Sequence, residues 1–335
     1  MQSSRSVRIT EGLSFDDVLL VPQYSPLSSR SEVSLDVRFR TFLFSHPIVP
    51  ANMKSIVTPD LAVAQANSGG LAILHRFNPY PKAYYTAVMK SVFFPFTVGV
   101  SLGVHEADRE LFKWYQDQGV LVYCIDVAHG DSRPAMDMTA WVRKQLRKDQ
   151  ALIAGNVATG LGAIRLWDVG ADVVKVGVGP GSLCTTRIQT GCGVPQISAL
   201  LDVAEQRSLY SGRADTWVIS DGGIKHAGDV VKALALSDMV MCGRLFAGCD
   251  ETGTTRYEGS STYKTSHVEG VVATVDAQGP YRTVLNRVLE GVRSGCSYQG
   301  CGLVDQLQEA PHFVKITAAG LRESHPHDVQ VVESE

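Results

Sequence analysis

Apolar positions along this chain gather in eight short runs: Pro47–Ala51, Leu71–Leu74, Thr97–Ser101, Val120–Asp126, Leu152–Asn156, Val173–Val178, Thr216–Ser220 and Met239–Cys242. They are β-branched or small-apolar and do not alternate with polar residues. Runs of that kind predict strands buried on both faces, as in a parallel sheet. Between them stand segments with helical character: Asp60–Asn67, Pro81–Lys90, Glu106–Asp117, Arg133–Arg147, Leu161–Val169, Pro195–Gln206 and Ala227–Leu236. An eighth helix is expected to begin near Arg244. Eight strand–helix units in roughly 200 residues predict a closed (β/α)8 barrel, with an open doubly wound sheet as the competing arrangement. The chain is expected to be one barrel domain over 1–335. Residues 1–46 form a lead-in, and residues 250–335 mix turns, a helix at Tyr281–Ser294 and a polar tail.

Barrel chemistry sits at the C-terminal ends of strands. That directs attention to Ala51–Met53, His75-Arg76, Asp126, Asn156, the loop after Val178, Asp221 and Gly243. Composition narrows the ligand. Of 335 residues, 44% are hydrophobic and 19% charged, and Lys+Arg 31 against Asp+Glu 34 leaves a net charge of -3. No basic excess points to nucleic acid. No run reaches the ~18 apolar residues of a membrane span, and the first residues lack a signal core, so a cytoplasmic protein is expected. Seven cysteines (124, 184, 192, 242, 249, 296 and 301) include no C-x-x-C pair. They are expected to be reduced thiols.

The sharpest local signal is Gly177–Arg187, where three glycines in five residues let backbone approach a ligand. Cys184 follows as a candidate nucleophile, with Arg187 nearby to favour its thiolate and with Thr185 and Thr186 able to orient a water or an amine. Taken alone, the loop also reads as a turn, and Cys184 as a small buried hydrophobe. After the seventh run, Asp221 can accept from two vicinal hydroxyls, and Gly222 and Gly223 can turn N–H groups to a phosphate. Gly243 closes the eighth run. Arg244 beside it either binds phosphate or faces solvent. Together these features suggest a phosphorylated sugar or nucleotide.

Further motifs complete a pattern: Gly12–Pro22, Pro50–Met53, Ile125–Gly130, Ala154–Thr159, Gly193–Gln196, Ser220–Ile224, Gly228-Asp229 and Gly320–Asp328. With Gly177–Arg187, they resemble the IMP dehydrogenase/GMP reductase family over nearly the whole chain. The resemblance implies a TIM barrel, a homotetramer and a purine nucleoside monophosphate as substrate. Cys184 matches the nucleophile that attacks C2 of the purine, while a nicotinamide cofactor exchanges hydride with that carbon. Ser182, Gly222, Gly223 and Gly243 match positions around the 5′-phosphate, with Met53 and Arg244 on the same substrate side. Asp221 matches the ribose ligand. Asp126, Ala128 and Asn156 match the cofactor side. Carbonyls of Gly179, Gly181 and Cys184 match ligands of a monovalent cation such as K+. Glu323, Ser324 and His325 resemble the tail that completes it from a neighbouring subunit.

Choosing the branch depends on the flap. Lys90 runs into Phe96–Ser101 without the regulatory insert of most dehydrogenases. Ser29–Val33, Ile219–Gly223 and Leu245–Gly248 look reductase-like. Gly193–Gln196 and Leu321–Val329 look closer to dehydrogenases. Thr186 and its partner Glu269, which handle ammonia in reductases, occur in both branches. Between Tyr263-Lys264 and Glu269-Gly270 only Thr265–Val268 remain, where the family holds a long flap with a base-recognising Gly-Met turn. The dehydrogenases' water-activating Arg-Tyr pair is missing there. Arg256-Tyr257 precedes that stretch and does not replace it. The expected activity is therefore GMP reductase: GMP and NADPH give IMP, ammonia and NADP+. The alternatives are an NAD-dependent IMP dehydrogenase and a nucleotide-binding homologue with impaired catalysis.

Overall fold

Each apolar run forms a strand, and the eight strands lie parallel in one sheet. In the computed structural model, which describes residues 7–213, 215–259 and 270–329, they are β1 (Ile48–Pro50), β2 (Ala72–Leu74), β3 (Val98–Leu102), β4 (Val122–Asp126), β5 (Ala151–Val157), β6 (Val173–Val176), β7 (Trp217–Asp221) and β8 (Met239–Cys242). Hydrogen bonding runs in the order β1-β8-β7-β6-β5-β4-β3-β2. The first strand pairs with the last, Ile48 opposite Val240 and Pro50 opposite Cys242. The ends of that order, β1 and β2, adjoin, so the sheet curls nearly shut into a barrel. Every residue of β3 is buried, which is why its sequence shows no alternation.

Helices follow the strands: α1 (Pro59–Asn67), α2 (Pro81–Met89), α3 (Glu106–Asp117), α4 (Arg133–Gln145), α5 (Gly160–Asp168), α6 (Gln196–Leu209), α7 (Ala227–Leu234) and α8 (Tyr281–Tyr298). Local chemistry starts them. Thr58 Oγ1 accepts the Leu61 N–H at 3.2 Å, with Pro59 in the first turn. Thr159 does the same for Gly162 at 3.1 Å.

The eighth helix does not begin at Arg244. Phe246 and Ala247 N–H groups both return to the Gly243 carbonyl at 3.1 Å, and Gly248 takes φ +83. A Cβ on Gly248 would meet Asp276 O at 2.4 Å, so the chain turns away after one loop. The eighth helix is α8, lying between α7 and α1, and it runs past Ser294 to Tyr298.

The lead-in plugs the barrel's lower end. A hairpin of Val37–Phe39 and Phe42–Phe44 buries Phe39, Phe42 and Phe44, with Phe39 4.7 Å from the Trp217 ring. At its tip Arg40 adopts φ 52, a left-handed conformation disfavoured for a residue with a Cβ. Its guanidinium reaches Asp172 at 2.6 Å, as does Arg213 at 2.6 Å, and Arg143 is 2.9 Å away. Asp172 is wholly buried and also accepts the Leu152 N–H at 2.8 Å. One carboxylate thus ties the plug to α4, β5 and the approach to β7. Elsewhere Val18–Leu20 pairs antiparallel with Phe313–Lys315, joining the two ends of the chain.

Two histidines are buried neutral. His46 Nδ1 accepts the Ile48 N–H at 3.3 Å, and His75 Nδ1 accepts the Phe77 N–H at 3.2 Å. Burial pushes both down to about 4, with Lys54 also acting on His75.

Removing the Asp172 carboxylate leaves three arginines facing one another. Asp172→Ala should lose about 3–5 kcal/mol of unfolding free energy, read from urea denaturation. The histidines give a pH dependence. The unfolded chain takes up their protons below its ordinary value of about 6.5 while the folded chain refuses them, so their contribution is complete above that pH and falls toward pH 4. Each should cost up to about 3 kcal/mol at the acid end. Urea titrations across that range should show the loss, and His46→Gln should lessen it.

Candidate active site

At the upper end the strand termini surround a cleft of about 220 Å³. Its floor is set by Lys175 of β6, an ionisable residue in an apolar strand. Lys175 is 2% exposed. Its Nζ lies 2.8 Å from Asp126 Oδ1 and 3.2 Å from Asp221 Oδ2. Burial alone would push the ammonium's pKa down, but the two carboxylates outweigh it and hold the pKa above its ordinary value. Burial likewise opposes the charge of Asp126, and Lys175 reverses that, holding the carboxyl below its usual range. Asn156 Nδ2 donates to Gly177 O at 2.9 Å and to Asp221 Oδ2 at 2.8 Å. With Oδ2 so engaged, Asp221 Oδ1 makes no hydrogen bond among the described residues.

The loop after β6 forms one wall. Gly177 has φ +154, and a Cβ there would stand 2.0 Å from Asp221 O. Only glycine lets β6 and β7 come this close. Cys184 N–H closes a turn onto Gly181 O at 3.0 Å. The thiol donates to Thr186 Oγ1 at 3.2 Å, where a short helix, Thr186–Thr190, begins. Cys184 also bridges backbone with Gly270. It is half-buried, whereas Cys124, Cys242, Cys249, Cys296 and Cys301 are buried. Burial pushes the thiols of Cys124, Cys249 and Cys296 up to about 12, and those of Cys242 and Cys301 upward.

Among the described residues Arg187 makes no hydrogen bond to the Cys184 thiol. Its Nη2 donates to Val194 O at 2.6 Å, and its side chain stacks where a Cβ of Gly179 or Gly193 would stand. It braces the loop.

Ser182, Gly179, Gly181, Met53, Asp126, Ala128, Asn156 and Asp221 all border the cleft. Gly222 and Gly223 have φ +90 and +82. A Cβ on Gly222 would lie 3.3 Å from Gly181 N, and one on Gly243 would lie 3.6 Å from Met53 Sδ. These glycines therefore stand directly behind the cleft wall. Arg244 is half-buried in the turn after β8. Glu269 lies outside the described residues. Glu323, Ser324 and His325 end the helix Ala318–Glu323, which rests on the Phe15–Asp17 turn. Among the described residues no hydrogen bond or ion pair joins them to the Gly179–Cys184 loop, and no cluster of three His, Cys, Asp or Glu side chains could hold a metal. No helix among them is long and apolar enough to cross a membrane.

Sequence reasoning gave no site role to Lys175 or Tyr257, which border the cleft, and named Arg76 only as a strand-end position. Lys175 was signalled by its charge inside an apolar run, since such a group needs a buried partner. Arg76 Nε donates to Asp126 O at 3.0 Å, and its guanidinium lies over the Phe77 ring at 4.6 Å. Tyr257 comes from a hairpin of Arg256–Glu258 and Val272–Thr274, a long-range pairing with no local signal.

A half-exposed thiol, the Asp221 carboxylate and a glycine-rich loop border one barrel mouth. The IMP dehydrogenase / GMP reductase domain matches residues 12–267 and 253–327. The chain belongs to that family. An inosine-5'-monophosphate dehydrogenase of Streptococcus pyogenes is 40% identical over 264 residues, 70% of this chain and 52% of that protein. Those of Halalkalibacterium halodurans and Chlorobaculum parvum are 38% and 37% identical over 263 and 266 residues, each 70% of this chain and 53% of theirs. The chain spans about half the length of these curated relatives of the family.

Exposure and burial separate the thiols. Brief treatment with iodoacetamide should label Cys184 and Cys192 and leave Cys124, Cys242, Cys249 and Cys296 unmodified until urea unfolds the chain. Peptide mass mapping reads the sites; early labelling of a buried cysteine would contradict the packing.

Proposed function

We propose that this chain is a GMP reductase, converting GMP and NADPH to IMP, ammonia and NADP+. The observation that carries the reading is the half-exposed Cys184 thiol, 3.2 Å from Thr186 Oγ1, at a mouth whose floor holds Asp221. As thiolate, Cys184 adds to C2 of the purine. Thr186, with Glu269 as its partner, passes a proton to the departing ammonia. Once C2 has gained a hydride, the C2–S bond breaks and the sulfur returns as thiolate. Asp221 Oδ1 accepts from the ribose hydroxyls, and Ser182, Gly222, Gly223 and Gly243 hold the 5′-phosphate, with Arg244 beside them.

The second half of the cleft fits a nicotinamide. Asn156 Oδ1 is buried without a hydrogen-bond partner, an acceptor suited to a carboxamide N–H. Phe77 and Ala128 give an apolar wall, and Asp126 adjoins it. The bound cofactor supplies the hydride that replaces the amine at C2. A monovalent cation on the Gly179, Gly181 and Cys184 carbonyls, completed by a neighbour's Glu323–His325 in a homotetramer, belongs to the same reading.

The names of the relatives favour a second reading, IMP dehydrogenase with NAD+. Against it stands the missing Arg-Tyr pair between Tyr263-Lys264 and Glu269, without which water has no evident activator. Absorbance at 340 nm decides between them: GMP-dependent loss of NADPH, or IMP-dependent formation of NADH. Cys184→Ala should abolish turnover, because no covalent path remains. Thr186→Val should slow it about 10²–10⁴-fold. NADPH loss that ignores GMP, or full activity in Cys184→Ala, would sink the proposal. Tight GMP or IMP binding without turnover would instead mark an impaired homologue.

A further inference from the structure

At the lower end of the barrel the charges around Asp172 do not balance. Its Oδ1 accepts from Arg40 Nη2 and from Arg213 Nη2, both at 2.6 Å, and Arg143 Nη1 spans Oδ1 and Oδ2 at 3.1 and 2.9 Å. Three cations therefore meet one anion. Among the described residues no second carboxylate forms an ion pair with any of the three. The cluster is left with excess positive charge.

It also has donors to spare. A guanidinium carries five N–H bonds in a planar fork. Among the described residues the side chains of Arg40, Arg143 and Arg213 make no hydrogen bond except those to Asp172. The Asp172 side chain is 0% exposed, while those of Arg40, Arg143 and Arg213 are 21%, 23% and 28% exposed. Solvent thus reaches the arginines and not the acid beneath them.

The three heads are placed in advance of any ligand. Arg40 sits at the tip of the plug hairpin, with its guanidinium carbon 5.3 Å from the Phe39 ring centroid. The stem of Arg143, on α4, runs 2.4 Å from where a Cβ of Gly170 would stand. Arg213 follows the end of α6. Two cationic nitrogens that share one carboxylate oxygen are close enough to repel. A doubly charged oxyanion set against them would relieve that repulsion. Guanidinium forks match the oxygens of phosphate geometrically, which a spherical halide cannot.

We propose that Arg40, Arg143 and Arg213 form a second ligand site, at the end of the barrel away from the cleft, for a doubly charged phosphate group, free or carried by a nucleotide. Bound there, the group joins the plug hairpin, α4 and the segment after α6, and so stabilises the folded barrel. The inference is independent of what the cleft binds.

Melting curves of wild type, Arg40→Gly and Arg213→Gln test it, taken with sodium phosphate, with metal-free ATP, and with sodium chloride at matched ionic strength. Arg40 has φ 52, a conformation glycine adopts freely, so Arg40→Gly removes a cation without forcing the backbone. Phosphate and ATP should each raise the wild-type melting temperature by about 2–4 °C when about tenfold above their dissociation constants. Chloride should not, and both variants should lose the rise. Phenylglyoxal labelling, mapped by peptide mass, should modify Arg40, Arg143 and Arg213 more slowly when phosphate is present. A rise with ATP no larger than with phosphate makes the free group sufficient; a larger one with ATP identifies a nucleotide. No rise with either compound overturns the inference, as does an equal rise in chloride or unchanged labelling of the three arginines. A rise that persists in both variants places the phosphate elsewhere and overturns it too. If one variant fails to fold, the other variant and the wild-type labelling decide.

Discussion

A single ammonium inside the barrel organises the mouth. Moving a lone charge out of water costs several kcal/mol, so Lys175 can stay buried only because Asp126 and Asp221 face it at 2.8 and 3.2 Å. The three come from β4, β6 and β7, and their attraction sets how the ends of those strands meet. The orientation of each carboxylate follows. Lys175 and Asn156 both take Asp221 Oδ2, which leaves Oδ1 as the oxygen presented to a ligand. Lys175 also stands between two acids that would otherwise repel. The orientation of the candidate ribose ligand is thus inseparable from an almost wholly buried residue.

What was readable in the sequence follows from how local each feature is. Strands buried on both faces leave contiguous apolar runs, so all eight were legible, and Thr58 and Thr159 mark helix starts through bonds only three residues long. The eighth helix was misplaced because Leu245–Ala247 is apolar enough to suggest one, while the glycines around it select a turn. Positions at strand ends were legible because the topology puts them together; Cys184, Asp221, Asn156 and Met53 do share the cleft. Directions of side chains were not. Arg187 is three residues from Cys184 in sequence, yet it turns to Val194, because the glycines at 179 and 193 leave the space its side chain fills. Tyr257 depends on strand pairing across 14 or more positions, from Glu258 to Val272, and nothing nearby announces it.

The barrel keeps stability and chemistry at opposite ends. Below, the aromatic plug and the Asp172 hub consume the acceptors they bring: the carboxylate accepts from three guanidiniums and a backbone N–H, leaving it nothing to offer a ligand. Above, groups remain unmatched: Asn156 Oδ1 has no partner, and Tyr257 Oη has only a thioether. Buried polar atoms are matched in almost all folded proteins, so two poorly matched acceptors and donors around one cleft are more telling than any single one. Gln196 Oε1, Tyr123 Oη and Trp167 Nε1 are unmatched elsewhere and border no such opening.

The hairpin of Arg256–Glu258 and Val272–Thr274 helps to hold Cys184 in place. Val271 N–H donates to Leu183 O at 3.1 Å, Gly259 N–H donates to Val271 O at 3.1 Å, and Gly270 bridges Cys184. On the opposite wall, Ser55 Oγ donates to Glu258 O at 3.2 Å and accepts the Glu258 N–H at 3.1 Å. The hairpin is therefore laced to the loop after β6 and to the loop after β1, on either side of the opening. Backbone bonds of this kind do not depend on which side chains the two strands carry. On the proposed reading, a flap with fewer base contacts still leaves Cys184 held by these bonds. On that reading, the reaction is decided by what reaches C2 beside the thiol: a proton relay at Thr186 suits departure of an amine, whereas attack by water would need a further base.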